Sequence, residues 1–254
     1  MSESEILFEV KDGLGLITLN RPKALNALTH GMILEMEKVI PGWENDPKVK
    51  AVVVRGAGDR AFCAGGDVSS MGSYDVVTGR KRSQKHRRAV VNLYNLEKPV
   101  IAAVRGPAAG IGLSLALACD LVIASDDAKL GLAEIKVGVI PGAGACVRLT
   151  RWVGRAQAKE ILMTGDMIPA EEAKRLGLVN RVVPADRLEE ETGALARQLA
   201  SRSPLAIAAA KRDYADNQRT VSGSYTKPFP SIHLNHDITA NLKARLSWST
   251  SFAR

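Results

Sequence analysis

A chain of 254 residues, 46% hydrophobic and 24% charged, can bury a sizeable core and has the composition of neither a disordered nor a membrane protein. Its longest apolar run, Pro107 to Cys119, falls short of the roughly 20 residues that span a bilayer, so no transmembrane helix is expected. A formal charge of +8, from 35 Lys and Arg against 27 Asp and Glu, favours anionic partners such as nucleic acid, acidic membranes or phosphate-rich cofactors.

The opening MSESEILFEV carries acids where a secretory signal carries bases, and it is not the Arg-rich, acid-poor start of a transit peptide. A cytoplasmic location is the expectation. Short β-rich runs at Ile6 to Val10 and Leu16 to Leu19 precede a helical pattern from Thr29 to Asn45. A strand at Lys50 to Arg55 follows, then a basic helical segment from Arg80 to Asn95. The strand Val100 to Val104 leads into Gly110 to Cys119, a helix apolar nearly all round and therefore buried, and then the strand Leu121 to Ala124. Helical patterns at Arg155 to Met163 and Ala170 to Leu176, an extended stretch at Leu178 to Val183, and further helix at Leu188 to Ala215 complete the regular part. After Gln218, the mixture of Gly, Pro, Ser and His reads as loop or partly ordered tail. Strands alternating with helices indicate an α/β architecture. The three cysteines, Cys63, Cys119 and Cys146, are widely spaced with no CxxC pair, which signals neither a disulfide framework nor a zinc site and leaves them as packing residues.

Three stretches carry chemistry. In AFCAGGDV, Ala61 to Val68, the bare backbone of Ala64, Gly65 and Gly66 lets a ligand atom approach main-chain N–H groups, as an oxyanion site requires; a structural Gly-Gly turn is the alternative. In GPAAGIGLSLALACD, Gly106 to Asp120, small residues lead into a helix whose first N–H groups lack intrahelical partners, against the alternative of close helix packing. In LAEIKVGVIPGAGA, Leu132 to Ala145, partial burial of Glu134 in an apolar stretch would raise its pKa toward that of a useful base, although a lone Glu is usually a surface residue. The run RKRSQKHRR, Arg80 to Arg88, holds six Lys or Arg in nine positions and reads either as a solvated helix face or as a phosphate-binding one. His86 within it is expected to face solvent, Ser114 is either a packing serine or a partner for water or Glu134, and Asp120 should satisfy local backbone donors.

Five motifs, LNRPKALNAL (Leu19 to Leu28), AFCAGGDV, KPVIAAVRGPAAGIGLSLALACDL (Lys98 to Leu121), EIKVGVIPGAGA and TGDMIPAEEAKRLGLVNRVVP (Thr164 to Pro184), together resemble the enoyl-CoA hydratase/isomerase, or crotonase, superfamily. The resemblance runs from about residue 5 to about residue 215, in order. It implies a crotonase-like spiral of ββα units over residues 1–190, then a C-terminal region, 191–254, whose helices mediate trimerisation and whose tail is atypical. A homotrimer or homohexamer is the implied assembly, and an acyl-CoA the implied substrate. By the same resemblance the N–H groups of Gly66 and Ile111 hold the thioester oxygen, and Lys23, Ala24, Ala64, Gly65, Asp67, Val68 and Gly110 line the bound CoA ester. Hydratases of the family carry two glutamates. The second matches Glu134, but the first falls on Ser114, and Gly142 stands where some relatives carry an aspartate. One glutamate without the other acid matches an enoyl-CoA isomerase pattern, so double-bond migration with Glu134 as sole acid/base is the leading expectation and enoyl-CoA hydration the alternative. No metal or redox cofactor is implied, CoA entering as part of the substrate. A catalytically silent homologue or an RNA-binding module are further alternatives. Aromatics make up only 4% of the chain, and none interleaves with Arg80 to Arg88, which argues against nucleic acid; nor is a membrane implied as a partner.

Overall fold

Alternation within the apolar strands sets the architecture. The computed structural model describes residues 4–67, 76–217, 229–235 and 245–251. Strands β1 (Ile6–Lys11), β2 (Leu14–Leu19), β3 (Ala51–Gly56), β4 (Val100–Val104), β6 (Leu121–Ser125) and β9 (Arg181–Val183) form a six-stranded sheet in the order β1-β2-β3-β4-β6-β9. The first pair is antiparallel and every later pairing is parallel. In β3, Val52 and Val54 join the main core with α1 (His30–Glu44) and α2 (Val76–Asn95), whereas Ala51 and Val53 join a second cluster with α6 (Leu188–Ala200). β4 and β6 alternate in the same way, with Ile101, Ala103 and Ile123 facing α6. Burial on both faces explains why these strands read as continuous hydrophobic runs.

Two further elements frame the site. The short strands β5 (Pro107–Ala109), β7 (Lys129–Gly131) and β8 (Ile168–Pro169) form a three-stranded sheet that has no counterpart among the expected elements. Runs of two or three residues carry no periodic signal, so only long-range pairing reveals them. The expected buried helix at 110–119 is shorter than its apolar pattern, α3 spanning Ile111–Ala116. Helix α4 (Ala145–Thr164) contains Gly154 at φ 78° and ψ 168°, a break between two helical halves; α5 (Ala170–Arg175) follows.

The chain divides into two compact units, Met1–Ala208 and Ala209–Arg254. This division falls later than the expected limit at residue 190, because Leu188, Leu195 and Ala196 of α6 are buried against the large sheet. Pro204 starts α7 (Pro204–Asn217), so the helix expected over 188–215 is two helices. Within the second unit, β10 (Phe229–Asn235) and β11 (Arg245–Ser251) pair antiparallel with Ile232 opposite Trp248. The expectation of loop or partly ordered tail after residue 218 is thus corrected at Phe229–Asn235, which forms a strand. Among the described residues no helix is long and apolar enough to cross a membrane.

Candidate active site

Two left-handed residues begin the site. After the single 3-10 turn Pro22–Ala24, Leu25 and Asn26 adopt φ values of 49° and 55°, a region that Asn tolerates better than most residues. Asn26 is fully buried; its Nδ2 donates to the carbonyls of Ala57 and Ala61 at 2.9 and 2.7 Å, and its Oδ1 accepts from the Arg21 amide at 2.9 Å. The fit is close, because a Cβ on Gly56 would lie 2.6 Å from Asn26 Nδ2. Asn26 therefore joins the 22–28 segment to the loop after β3.

That loop is fixed along its length by the main chain. Ala64 N–H donates to Leu25 O, Leu28 N–H to Gly65 O, and Asp67 N–H to Leu28 O, at 2.9–3.0 Å. On its other side Cys63 exchanges backbone hydrogen bonds with the Pro107–Ala109 strand. Gly65 takes φ 124°, and a Cβ on Gly112 would sit 2.4 Å from Cys63 O, so glycine permits both the turn and the approach of α3. Arg21 reinforces the junction through an ion pair to Asp67 at 2.9 Å and a bond to Ala27 O at 2.7 Å. Lys23, Ala24 and Ala64 are exposed along this junction, Gly65 is buried, and Val68 lies outside the described residues.

Gly66 and Ile111 come together. A Cβ built on Gly66 would lie 3.9 Å from Ile111 Cγ2, and among the described residues neither amide donates to a backbone carbonyl. Gly110 beside them takes φ 54° and ψ −122°, a conformation open to glycine, with its own N–H donating to Gly131 O at 2.9 Å. Its missing side chain leaves room for an acid: a Cβ there would be 3.2 Å from Glu134 Oε1. The carboxyl of Glu134 therefore stands directly over the glycine that precedes Ile111.

Glu134 sits on the 3-10 turn Ala133–Val137, half-buried, with Oε2 enclosed and without a hydrogen-bond partner among the described residues. Burial pushes its pKa up, and a hydrogen bond with its own backbone offsets part of that rise. The turn is closed by Val139 N–H to Glu134 O at 3.1 Å and tied outward by an ion pair of Lys136 with Asp166 at 2.8 Å. Ser114 is only 1% exposed, and its Oγ donates to Gly110 O at 3.2 Å, a bond within its own helix segment. Among the described residues no second carboxylate contributes to the raised pKa of Glu134. Asp120 accepts from Val100 N–H at 2.7 Å, as its expected structural role requires.

The basic helix departs from expectation at one residue. Lys85, Arg87 and Arg88 are exposed, Arg88 lying 3.6 Å from Glu37. His86 is half-buried rather than facing solvent freely, with its Nε2 enclosed and its ring centroid 5.7 Å from that of His30 at the start of α1. It falls on the same helical face as buried Ala89, Val90 and Leu93, which decides its direction. Asn26 and Arg148 were not singled out by the sequence. Arg148 is 6% exposed, with burial pushing its pKa down, and lies 5.6 Å over the Tyr94 ring. The left-handed preference of Asn within LNRPKALNAL could have signalled the first; nothing in the pattern signals the second.

The chain is similar to known proteins along most of its length. The family model for enoyl-CoA hydratase/isomerase matches residues 9–227. The chain is 41% identical over 212 residues to the short-chain-enoyl-CoA hydratase of Clostridium acetobutylicum, covering 84% of this chain and 81% of that one. It is 44% identical over 198 residues to the mitochondrial enoyl-CoA hydratase of Pongo abelii, covering 78% and 67%. Among solved structures, the enoyl-CoA hydratase of Bacillus anthracis superposes with a TM-score of 0.82 at 35% identity, covering 85% of this chain and 84% of that one.

Proposed function

This chain belongs to the enoyl-CoA hydratase/isomerase family, and we propose that it moves a proton at the α-carbon of an enoyl-CoA thioester with Glu134 as its one acid/base. The observation that carries this is the Glu134 carboxyl over Gly110, the residue before Ile111, whose side chain in turn approaches Gly66. With the thioester oxygen between the amides of Gly66 and Ile111, negative charge that develops on it as the enolate forms is met by two fixed donors. Each such donor is worth roughly 3 kcal/mol in the transition state. Lys23, Ala24, Ala64, Gly65 and Asp67 would lie along the CoA portion. An acyl-CoA is thus the substrate class, and CoA enters only as part of it.

The names of the relatives favour hydration, so the expectation that isomerisation leads is not the reading they support. One carboxylate suffices for the balance of atoms. Glu134 takes a proton from water as the hydroxyl adds to the β-carbon, and returns that proton to the α-carbon as the enolate collapses. Isomerisation is a second reading, favoured by Ser114: where hydratases of the family carry another glutamate, this hydroxyl is committed to Gly110 O. In that reaction Glu134 removes an α-proton from a 3-enoyl thioester and returns it at the γ-carbon. Either way the enolate is common.

The experiment follows from that. Exchange of the α-protons of a saturated acyl-CoA in deuterated water reports enolate formation without assuming either outcome. Glu134→Gln should lower it by about 10²–10⁴-fold while leaving acyl-CoA binding in place, and exchange near the parent rate would overturn the reading. Parallel assays with a 2-enoyl-CoA and a 3-enoyl-CoA then separate hydration from isomerisation. Assembly as a trimer or hexamer through the C-terminal helices belongs to the same proposal, and light scattering at micromolar concentration showing a monomer would remove it.

A further inference from the structure

Arg148, in the first turn of α4, is a buried cation with no carboxylate beside it among the described residues. The titratable groups near enough to influence it are Tyr94, Cys119 and Arg151, none a carboxylate. Its Nη2 donates to Ala143 O, its guanidinium lies over the Tyr94 ring, and its Nε is enclosed without an acceptor among the described residues. Gly144 is shaped around it, since a Cβ there would lie 2.9 Å from Nη1. Burying a charge without a counter-charge is costly, and an apolar side chain of similar volume is often no worse or better. Stability alone therefore gives no reason for arginine here.

The segment it holds is strained and close to the reacting groups. Ala143 and Gly144 are consecutive left-handed residues, at φ 53° and 81°, and Ala143 has a Cβ that disfavours this conformation. Helix α4 packs on the Glu134 turn. Ala145 N–H closes the bend to Gly142 O at 3.0 Å, and Cys146 Sγ lies 3.6 Å from Pro141 O. Burial first, and the Glu134 carboxylate as a lesser contributor, push the Cys146 thiol up, which places this bend within reach of that carboxylate's field.

We propose that Arg148 is a positioning residue for the proton transfer: by gripping the Ala143 carbonyl it fixes the left-handed Ala143–Gly144 pair, and with it the Pro141–Cys146 wall beside Glu134. The proposal rests on the reading of Glu134 as acid/base. A misplacement of about 1 Å near reacting groups can slow a reaction by about 10²-fold without disturbing ligand binding, and that is the effect assigned to losing this grip.

The test compares Arg148→Met and Arg148→Ala with the full-length protein in the exchange assay. Arg148→Met keeps the volume and removes the charge; it should melt no lower than the parent and bind a saturated acyl-CoA as tightly. Its exchange rate should fall by about 10²-fold. Arg148→Ala should be slow as well, and added guanidinium ion at millimolar concentration should recover its rate by filling the vacated space over Tyr94. Full exchange in Arg148→Met would overturn the proposal, as would a folded Arg148→Ala whose rate guanidinium does not raise. Loss of fold in both, by circular dichroism, would make Arg148 structural and overturn it too. Glu134→Gln runs alongside: exchange near the parent rate there defeats the reading of the site, whereas exchange lowered there but kept in Arg148→Met defeats only the role of Arg148.

Discussion

The two sides of the site are built in opposite ways. The side proposed to supply the donors, formed by Leu25–Leu28, Ala64–Asp67 and Ala109–Gly112, is a lattice of backbone hydrogen bonds locked by the buried side chain of Asn26. The acid side hangs Glu134 on a short turn whose neighbours Val137 and Ile140 are 74% and 82% exposed. Groups that stabilise developing charge are most effective when they need not reorganise, and a main-chain lattice supplies that rigidity. A carboxyl that must take and return a proton is better served by partial burial with one oxygen left free. One consequence is that side-chain substitution can remove the acid outright, whereas the donors can be reached only through the glycines and the residues that frame them.

The largest expected effect tests the acid side. Glu134→Gln should lower α-proton exchange by about 10²–10⁴-fold, with acyl-CoA affinity by calorimetry unchanged within a few-fold. A comparable loss of affinity would mean that the two sides are not separable. Next comes the glycine where they meet. Gly110→Ala forces a side chain into φ 54° and ψ −122° and brings its Cβ to 3.2 Å from Glu134 Oε1. Displacement of the carboxyl should slow exchange by about 10²-fold, with the circular dichroism spectrum retained. A rate close to the parent's would show that the carboxyl has room to move, against the contact just described.

Asn26→Ala probes the donor lattice through stability. It strips hydrogen bonds from the carbonyls of Ala57 and Ala61 and the amide of Arg21, and puts alanine at φ 55°. A buried polar group left unpaired costs about 1–3 kcal/mol, so a loss of at least about 2 kcal/mol is expected in urea unfolding. A smaller loss would mean that the main-chain bonds hold the loop without Asn26.

How far the sequence announced all this differs between the same two sides. The strands were legible because Val52, Val54, Ala102 and Val104 face one core and Ala51, Val53, Ile101 and Ala103 the other, leaving no polar alternation to obscure them. The close backbone packing on the proposed donor side was legible because it demands small residues, and AFCAGGDV and GPAAGIG have them. Less was readable around the acid. Glu134 in an apolar stretch was visible, but the contact with Gly110 depends on β5, β7 and β8, whose two or three residues make no pattern. Arg148 reads as one more basic residue of an amphipathic helix, since arginine is usually exposed, and only packing against Tyr94 and Ala143 sets it apart. His86 was misjudged for the same reason: charge density in Arg80 to Arg88 outweighed the helical spacing that joins it to Ala89, Val90 and Leu93.

The smallest expected effect is a matter of stability on the acid side, and its sign is informative. Burial raises the pKa of Glu134 in the folded protein above the value of about 4.3 of an unfolded glutamate. The folded state therefore binds this proton more tightly than the unfolded chain does. The stabilisation from that proton is fully present below the unfolded pKa and is lost as pH rises through the folded one. At neutral pH the charged carboxyl is thus a net cost to the fold, softened because the residue is only partly buried. Glu134→Gln, neutral at every pH, should melt slightly higher than the parent at pH 7, and the advantage should shrink as the pH falls through the window between the two pKa values. The donor-side variant Asn26→Ala removes no titrating group, and its deficit should not follow that window. Melting curves recorded from pH 4 to pH 8 would show the difference. A Glu134→Gln protein that is less stable at neutral pH, with the gap widening as pH rises, would mean that the carboxylate is held by a partner stronger than its burial, and the picture of an acid left poised without one would fail.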